Sequence, residues 1–128
     1  MKKIFLILAF VITSLVGYSQ AMLIKDNVRL SAKPISDCKA VELKWTVRME
    51  DHVDYYQIEW SKNGESFDSI ASELGGVWSI EPVTYTWCDV VSHMTTETHY
   101  YRIKMVYWDG TFEYSNVSEA VCRKKSNK

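Results

Sequence analysis

The stretch that decides the fold is YYRIKMVYWDGTFEYSN, Tyr100 to Asn116. Tyr101, Ile103, Met105 and Tyr107 share one parity, and Arg102, Lys104, Val106 and Trp108 the other. A strand turns successive side chains to opposite faces, so one side of this run is apolar and the other mixed. Asp109-Gly110 suits a tight turn, because Gly110 takes a positive φ with no Cβ to clash. Thr111 to Tyr114 then begin a return strand. Tyr, Ile, Val, Trp and Thr are weak helix formers, which excludes a helix with this period of two. The reading is a β-hairpin.

The same alternation recurs upstream. Val28, Leu30 and Ala32 form a first strand that Pro34 is expected to break, as at a sheet edge. Val41, Leu43, Trp45 and Val47 alternate with Glu42, Lys44, Thr46 and Arg48 and form the cleanest half-buried strand. After a polar loop from Met49 to Asp54, Tyr56, Ile58 and Trp60 form a third run that ends at Asn63-Gly64, another turn signal. Phe67 to Leu74 is out of strict phase at Phe67 and Ile70, which predicts a bulge. Val83, Tyr85 and Trp87 are the inward set of a fifth strand, followed by a polar crossing from Asp89 to Glu97. With the hairpin, this makes seven short strands and no helix. The spacing predicts an all-β, seven-stranded immunoglobulin-like sandwich.

Of the 128 residues, the first 21 read as a signal peptide. Lys2 and Lys3 precede an apolar run from Ile4 to Val16, and small residues follow at Gly17, Ser19 and Ala21. The run is short for a membrane span, which takes about 20 residues. Residues 22–122 are then one domain and 123–128 a charged, flexible tail. The expected location is secreted, periplasmic or in the cell envelope, with no span in the mature form. Without Lys2 and Lys3 the chain has thirteen basic against 16 acidic residues, a net charge of −3. That balance excludes the basic footprint of a nucleic-acid binder.

VELKWTV (41–47), DYYQIEWSKNGESFDSI (54–70), YTWCD (85–89) and YYRIKMVYWDGTFEYSN (100–116) together resemble the fibronectin-type-III-like domains of secreted bacterial proteins. The type is the one often found before type IX secretion sorting domains. With the chain ending at Lys128 and leaving no room for a sorting domain, the domain is expected to stand alone. The family pattern L-x-W, then Y-F-x-I-E-R-S-x-D-G, then Y-Y-R-L-K-Q-x-D-x-D-G-x-x-x-Y-S is met with departures at Trp60, Met105 and Tyr107. The resemblance implies one sheet of strands A, B and E and a second of C′, C, F and G. It also implies a spacer or binding module with no catalytic residues.

Three cysteines, Cys38, Cys88 and Cys122, fall at one end of such a sandwich. Cys38 and Cys88 have the outward parity on neighbouring strands, so a Cys38–Cys88 disulfide is expected, with Cys122 a free or intermolecular thiol. Cys122 could replace either partner. Free thiols, or a metal held by the thiols with His93 and His99, are the alternatives; the expected site has no metal and no cofactor. Trp45 and Trp87 are core by parity. Trp78 and Trp108 lie in a loop and at a turn, and with Trp60 and Tyr55 they are the candidate binding residues, able to stack on sugar rings or anchor a protein. Glu50, Asp51 and Asp54 read as a solvated loop, and His52 as a loop residue. No nucleophile elbow surrounds the Ser, His and Asp residues, so no enzyme is expected. A binding or adhesion module for a protein or glycan, or a structural envelope subunit linked through a cysteine, is the functional expectation. Its oligomeric state is open.

Overall fold

A computed structural model describes residues 26–76, 78–91 and 97–123. The expected signal peptide and most of the expected tail lie outside them, as does His93. Eight strands form: β1 (Val28–Ile35), β2 (Ala40–Val47), β3 (Val53–Ser61), β4 (Asp68–Leu74), β5 (Val83–Val90), β6 (Thr98–Tyr107), β7 (Phe112–Tyr114) and β8 (Ser118–Val121). All neighbouring pairs are antiparallel. One sheet has the order β1-β2-β5, the other β4-β3-β6-β7 with β8 also on β6. These are the A-B-E and C′-C-F-G sets. No helix among the described residues is long and apolar enough to cross a membrane.

The core follows the alternation. Val41, Leu43, Trp45 and Val47 of β2 face Tyr56 and Ile58 of β3 and Tyr101, Ile103 and Met105 of β6, all fully buried. Each large apolar side chain so placed stabilises the fold by roughly 1.5–3 kcal/mol relative to exposure. The outer face of the larger sheet is held differently. The Arg102 guanidinium lies 4.2 Å from the Phe67 ring centroid and 4.0 Å from that of Tyr114. Its Nε donates to Glu59 Oε1 at 2.9 Å. The charges of the hairpin thus pack on its own sheet.

Two expectations are adjusted, at Pro34 and in the last strand, and the expected bulge is present. β1 continues through Pro34, which pairs with Val41. Because β1 lies at the end of its sheet, a residue without an N–H is tolerated there. The irregularity near Ile70 is a bulge, since Ala71 faces Ile58 while Ser69 faces Glu59. The last strand is two pieces, which raises seven to eight. β7 pairs Lys104 with Tyr114 and β8 pairs Tyr101 with Ser118, so the register slips by one residue in between. At the slip the Ser115 hydroxyl accepts from Ile103 N at 2.8 Å, where a carbonyl would otherwise sit.

The slip frees Asn116 to reach the other sheet. Its Oδ1 accepts from Leu30 N at 2.8 Å and its Nδ2 donates to Leu30 O at 2.9 Å. Two residues on, Ser118 Oγ accepts from Ala32 N at 3.1 Å. Side chains thus pair the exposed edge of β1 to the last strand, in parallel register, and close the sandwich along one side. Asn116→Ala should destabilise the domain by about 1–3 kcal/mol, because it removes both partners of Leu30. Asn116→Asp should not restore the loss, since it lacks the donor. Urea unfolding midpoints of the three proteins check this.

Candidate ligand-binding cleft

The β6–β7 turn is built as its sequence dictates. Gly110 N donates to Tyr107 O at 2.9 Å, Tyr107 N donates to Thr111 O at 2.8 Å, and Gly110 has φ +87°. Asp109 accepts from the Thr111 hydroxyl at 2.6 Å and from its N–H at 2.9 Å. Those two bonds hold the Asp109 carboxyl below the ordinary carboxylate range. Trp108 stands at the tip, 69% exposed.

At the same end the β2–β3 loop meets this turn. Trp108 N donates to His52 O at 2.9 Å. His52 takes the left-handed conformation, φ +57°, uncommon for a residue with a side chain. Its imidazole meets the Trp108 ring edge-on, with centroids 5.5 Å apart, and its Nδ1 pairs with Asp51.

The β4–β5 connection supplies the third wall, and a buried carboxylate holds it. Glu50 is 1% exposed. Its Oε1 accepts from Tyr85 OH at 2.7 Å, Tyr56 OH at 2.8 Å and Gly76 N at 2.9 Å. The Glu50 backbone also exchanges hydrogen bonds with Ser79, 3.0 and 2.9 Å. Trp78 therefore lies between two anchor points on one residue. The connection runs so close that a Cβ on Gly75 would collide with Val53 O, and one on Gly76 would lie 2.9 Å from the Tyr85 hydroxyl. Expecting Glu50 in a solvated loop is thus incorrect: its carboxylate turns inward to two phenols.

Two adjoining hollows result. Asp51, His52, Val53, Gly76, Trp78 and Trp108 line one of about 390 Å³. His52, Tyr107, Trp108, Asp109, Thr111 and Glu113 line another of about 530 Å³. Trp108 and His52 are common to both, so together they form one cleft, and both indoles line its smaller half. Trp78 is 62% exposed. Neither tryptophan folds down onto a sheet. No lysine or arginine is among the described lining residues.

The other expected binding residues lie elsewhere. Trp60 is half-buried against the core at the far end of β3, and its Nε1 donates to His99 Nδ1 at 3.0 Å. It is a packing residue and cannot join a patch with Trp108. Tyr55 lies on the sheet between Leu74 and Val106, outside the cleft lining. His52 is the residue that sequence reasoning missed. The strand order already brings its loop beside the β6–β7 turn, but its left-handed backbone carries no sequence mark.

The cysteines are all free in this structure. A Cys38–Cys88 bridge is incompatible with the register. Cys88 faces Glu42 across β2 and β5, and Cys38 lies four residues further along the chain. The strand from Glu42 to Ala40 alone sets the two levels about 6.6 Å apart, and the turn then carries Cys38 toward β1, away from β5, whereas a disulfide holds its Cα atoms within about 7 Å. Cys38 instead neighbours Cys122 and raises its thiol. Buried His99 packs against Trp60 and Tyr101, and no cluster of three metal-binding side chains exists among the described residues.

No protein-family model matches the chain, and no curated protein matches it. Solved structures do. An Fn3-like protein from Clostridium thermocellum aligns over 77% of this chain and 92% of its own, with TM-score 0.52 and 19% identity. The sixth fibronectin type III domain from human fibronectin type III domain containing protein 3 aligns over 78% and 86%, with TM-score 0.54 and 17% identity. The fold is fibronectin-type-III-like. Pectate lyase Pel3 from Pectobacterium carotovorum also matches, with TM-score 0.56 and 16% identity over 73% of this chain. The chain spans only 27% of that lyase, so the likeness is one of fold.

Two outcomes follow from Glu50. Burial, with the Glu50 carboxylate alongside, pushes the Tyr85 phenol up to about 12 and raises Tyr56 further. Unfolded phenols ionise near 10, so the folded state keeps protons that the unfolded state loses. The resulting stability is complete below roughly pH 10 and is lost as pH rises through about 12. Denaturation midpoints at roughly pH 9 and pH 11.5 should show that fall. Glu50→Ala should cost about 3 kcal/mol by orphaning buried donors, and Glu50→Gln, which keeps an acceptor, distinctly less. Thermal unfolding of both variants tests this.

Proposed function

We propose that the chain is an exported, non-catalytic binding module that takes a neutral glycan in the Trp78–His52–Trp108 cleft. One observation carries the reading. Two exposed tryptophans from connections 30 residues apart line a single cleft, rimmed by groups that hydrogen-bond hydroxyls. Indole faces cover the apolar C–H face of a pyranose, while Asp51, Asp109, Glu113 and Thr111 supply acceptors and a donor for its hydroxyls. The carboxylates argue against an anionic sugar. Pectate, the polymer in the name of the lyase that shares this fold, is thus the contrasting ligand. Export is supported by Lys2, Lys3 and the apolar run from Ile4 to Val16, together with the likeness of the hairpin to secreted bacterial domains. Secretion or retention in the periplasm or envelope both fit.

A second reading, a structural envelope subunit without its own ligand, is favoured by one observation: Cys88 is exposed on β5 and could link two copies.

Affinity electrophoresis through neutral β-glucan, xylan and mannan, with pectate as the charged control, tests the proposal. At least one neutral polymer should retard the protein. Trp78→Ala and Trp108→Ala should each weaken that binding by about tenfold or more, which corresponds to ~1.4 kcal/mol. Retardation by pectate alone overturns the ligand class. No retardation by any polymer, with a Cys88-linked dimer on non-reducing gels, supports the second reading instead.

A further inference from the structure

The geometry points to a disulfide between Cys38 and Cys122 that locks the first strand to the last at the end opposite the cleft. The seam along β1 and β8 places the two residues together. Leu30 meets Asn116 and Ala32 meets Ser118, a constant offset of 86 residues. Continued in parallel, that offset sets Cys122 level with Ser36, the first residue of the tight β1–β2 turn that contains Cys38. The turn is fixed by Lys39 N donating to Ser36 O at 3.2 Å, and Val91 N anchors it to β5 through Lys39 O at 3.0 Å. Cys122 is fixed in turn, with its N–H on Glu97 O at 2.6 Å. Cys38 is near enough to raise the Cys122 thiol. Cys88, opposite Glu42 and exposed, is left out.

The order of chemical events follows from access. Cys122 is buried, and burial together with the neighbouring Cys38 pushes its thiol up to about 11. Cys38, half-buried in its turn, is therefore the entry point. Its thiolate attacks an acceptor disulfide such as oxidised glutathione, forming a mixed disulfide and releasing one acceptor thiolate. Cys122 then gives up its proton and attacks Cys38 Sγ, which breaks the mixed disulfide and releases the second thiolate. The protein loses two protons and two electrons, and the acceptor disulfide is reduced to two thiols.

The test incubates the reduced full chain with oxidised glutathione, followed by alkylation under denaturing conditions and peptide mass spectrometry. The expected product contains a Cys38–Cys122 linked peptide, which accounts for a loss of about 2 Da. Cys88, exposed and without a resolving thiol, carries a glutathione, or an alkyl group where it has not reacted. Cys122→Ser should stop at a glutathione adduct on Cys38, and Cys38→Ser should leave Cys122 unmodified over the same time. Three alkylated thiols in the wild-type chain, or a link that includes Cys88, would overturn the assignment.

Discussion

A carboxylate removed from water must find donors, and Glu50 finds three on one oxygen. Its position makes it the point where the parts of this protein join. Tyr56 belongs to the larger sheet and Tyr85 to the smaller, so one acceptor ties the two layers together. Gly76 brings in the β4–β5 connection. Around the carboxylate the rings pack closely: Tyr85 stacks on Trp45 with centroids 5.5 Å apart and lies 4.8 Å from Tyr56. The polar cluster thus caps the aromatic core. Breaking such a buried network by removing its acceptor is costly, because each donor is left unpaired in a low dielectric.

The two ends of the sandwich are finished in opposite ways. At one, Cys38 in the β1–β2 turn neighbours Cys122, where the seam that Asn116 and Ser118 make along β1 reaches its end. At the other, the Glu50 clamp holds a loop open rather than closing it. Its hydrogen bonds fall on Gly76 and Ser79, which leaves Trp78 to project between them. The His52 carbonyl performs a similar service for Trp108. Both indoles are therefore carried on backbone that is tied down, the arrangement a preorganised binding surface requires.

Most of the fold was legible because strand parity is a local property. Asp109-Gly110 set the hairpin, Val41 to Val47 set the central strand of the small sheet, and the misphased Ile70 marked the bulge. What was hidden is non-local. Glu50 sits in a polar run, and nothing in that run says that two phenols, six and 35 residues away, will donate to it. The division of the last strand depends on a Ser115 hydroxyl replacing a carbonyl, which parity cannot register. Cys38 and Cys88 share outward parity in the sequence, but Cys38 falls in the β1–β2 turn before β2 begins, where strand parity no longer applies. Trp60 had inward parity from the start; its indole donating to His99 explains why a strand-end tryptophan is covered. Trp78 and Trp108 were legible as candidates, while their convergence on His52 required the third dimension.

In the proposed function Trp78 and Trp108 act together as one surface, while the other three tryptophans serve the fold. The chain's five indole N–H groups are separate reporters in a proton–nitrogen correlation spectrum. Titration with a neutral oligosaccharide from whichever polymer retards the protein should move the Trp78 and Trp108 signals together, with one shared dissociation constant. The signals of Trp45, Trp60 and Trp87 should stay in place. Movement of Trp60 or Trp87 with Trp78 and Trp108 unchanged would place the ligand outside the cleft.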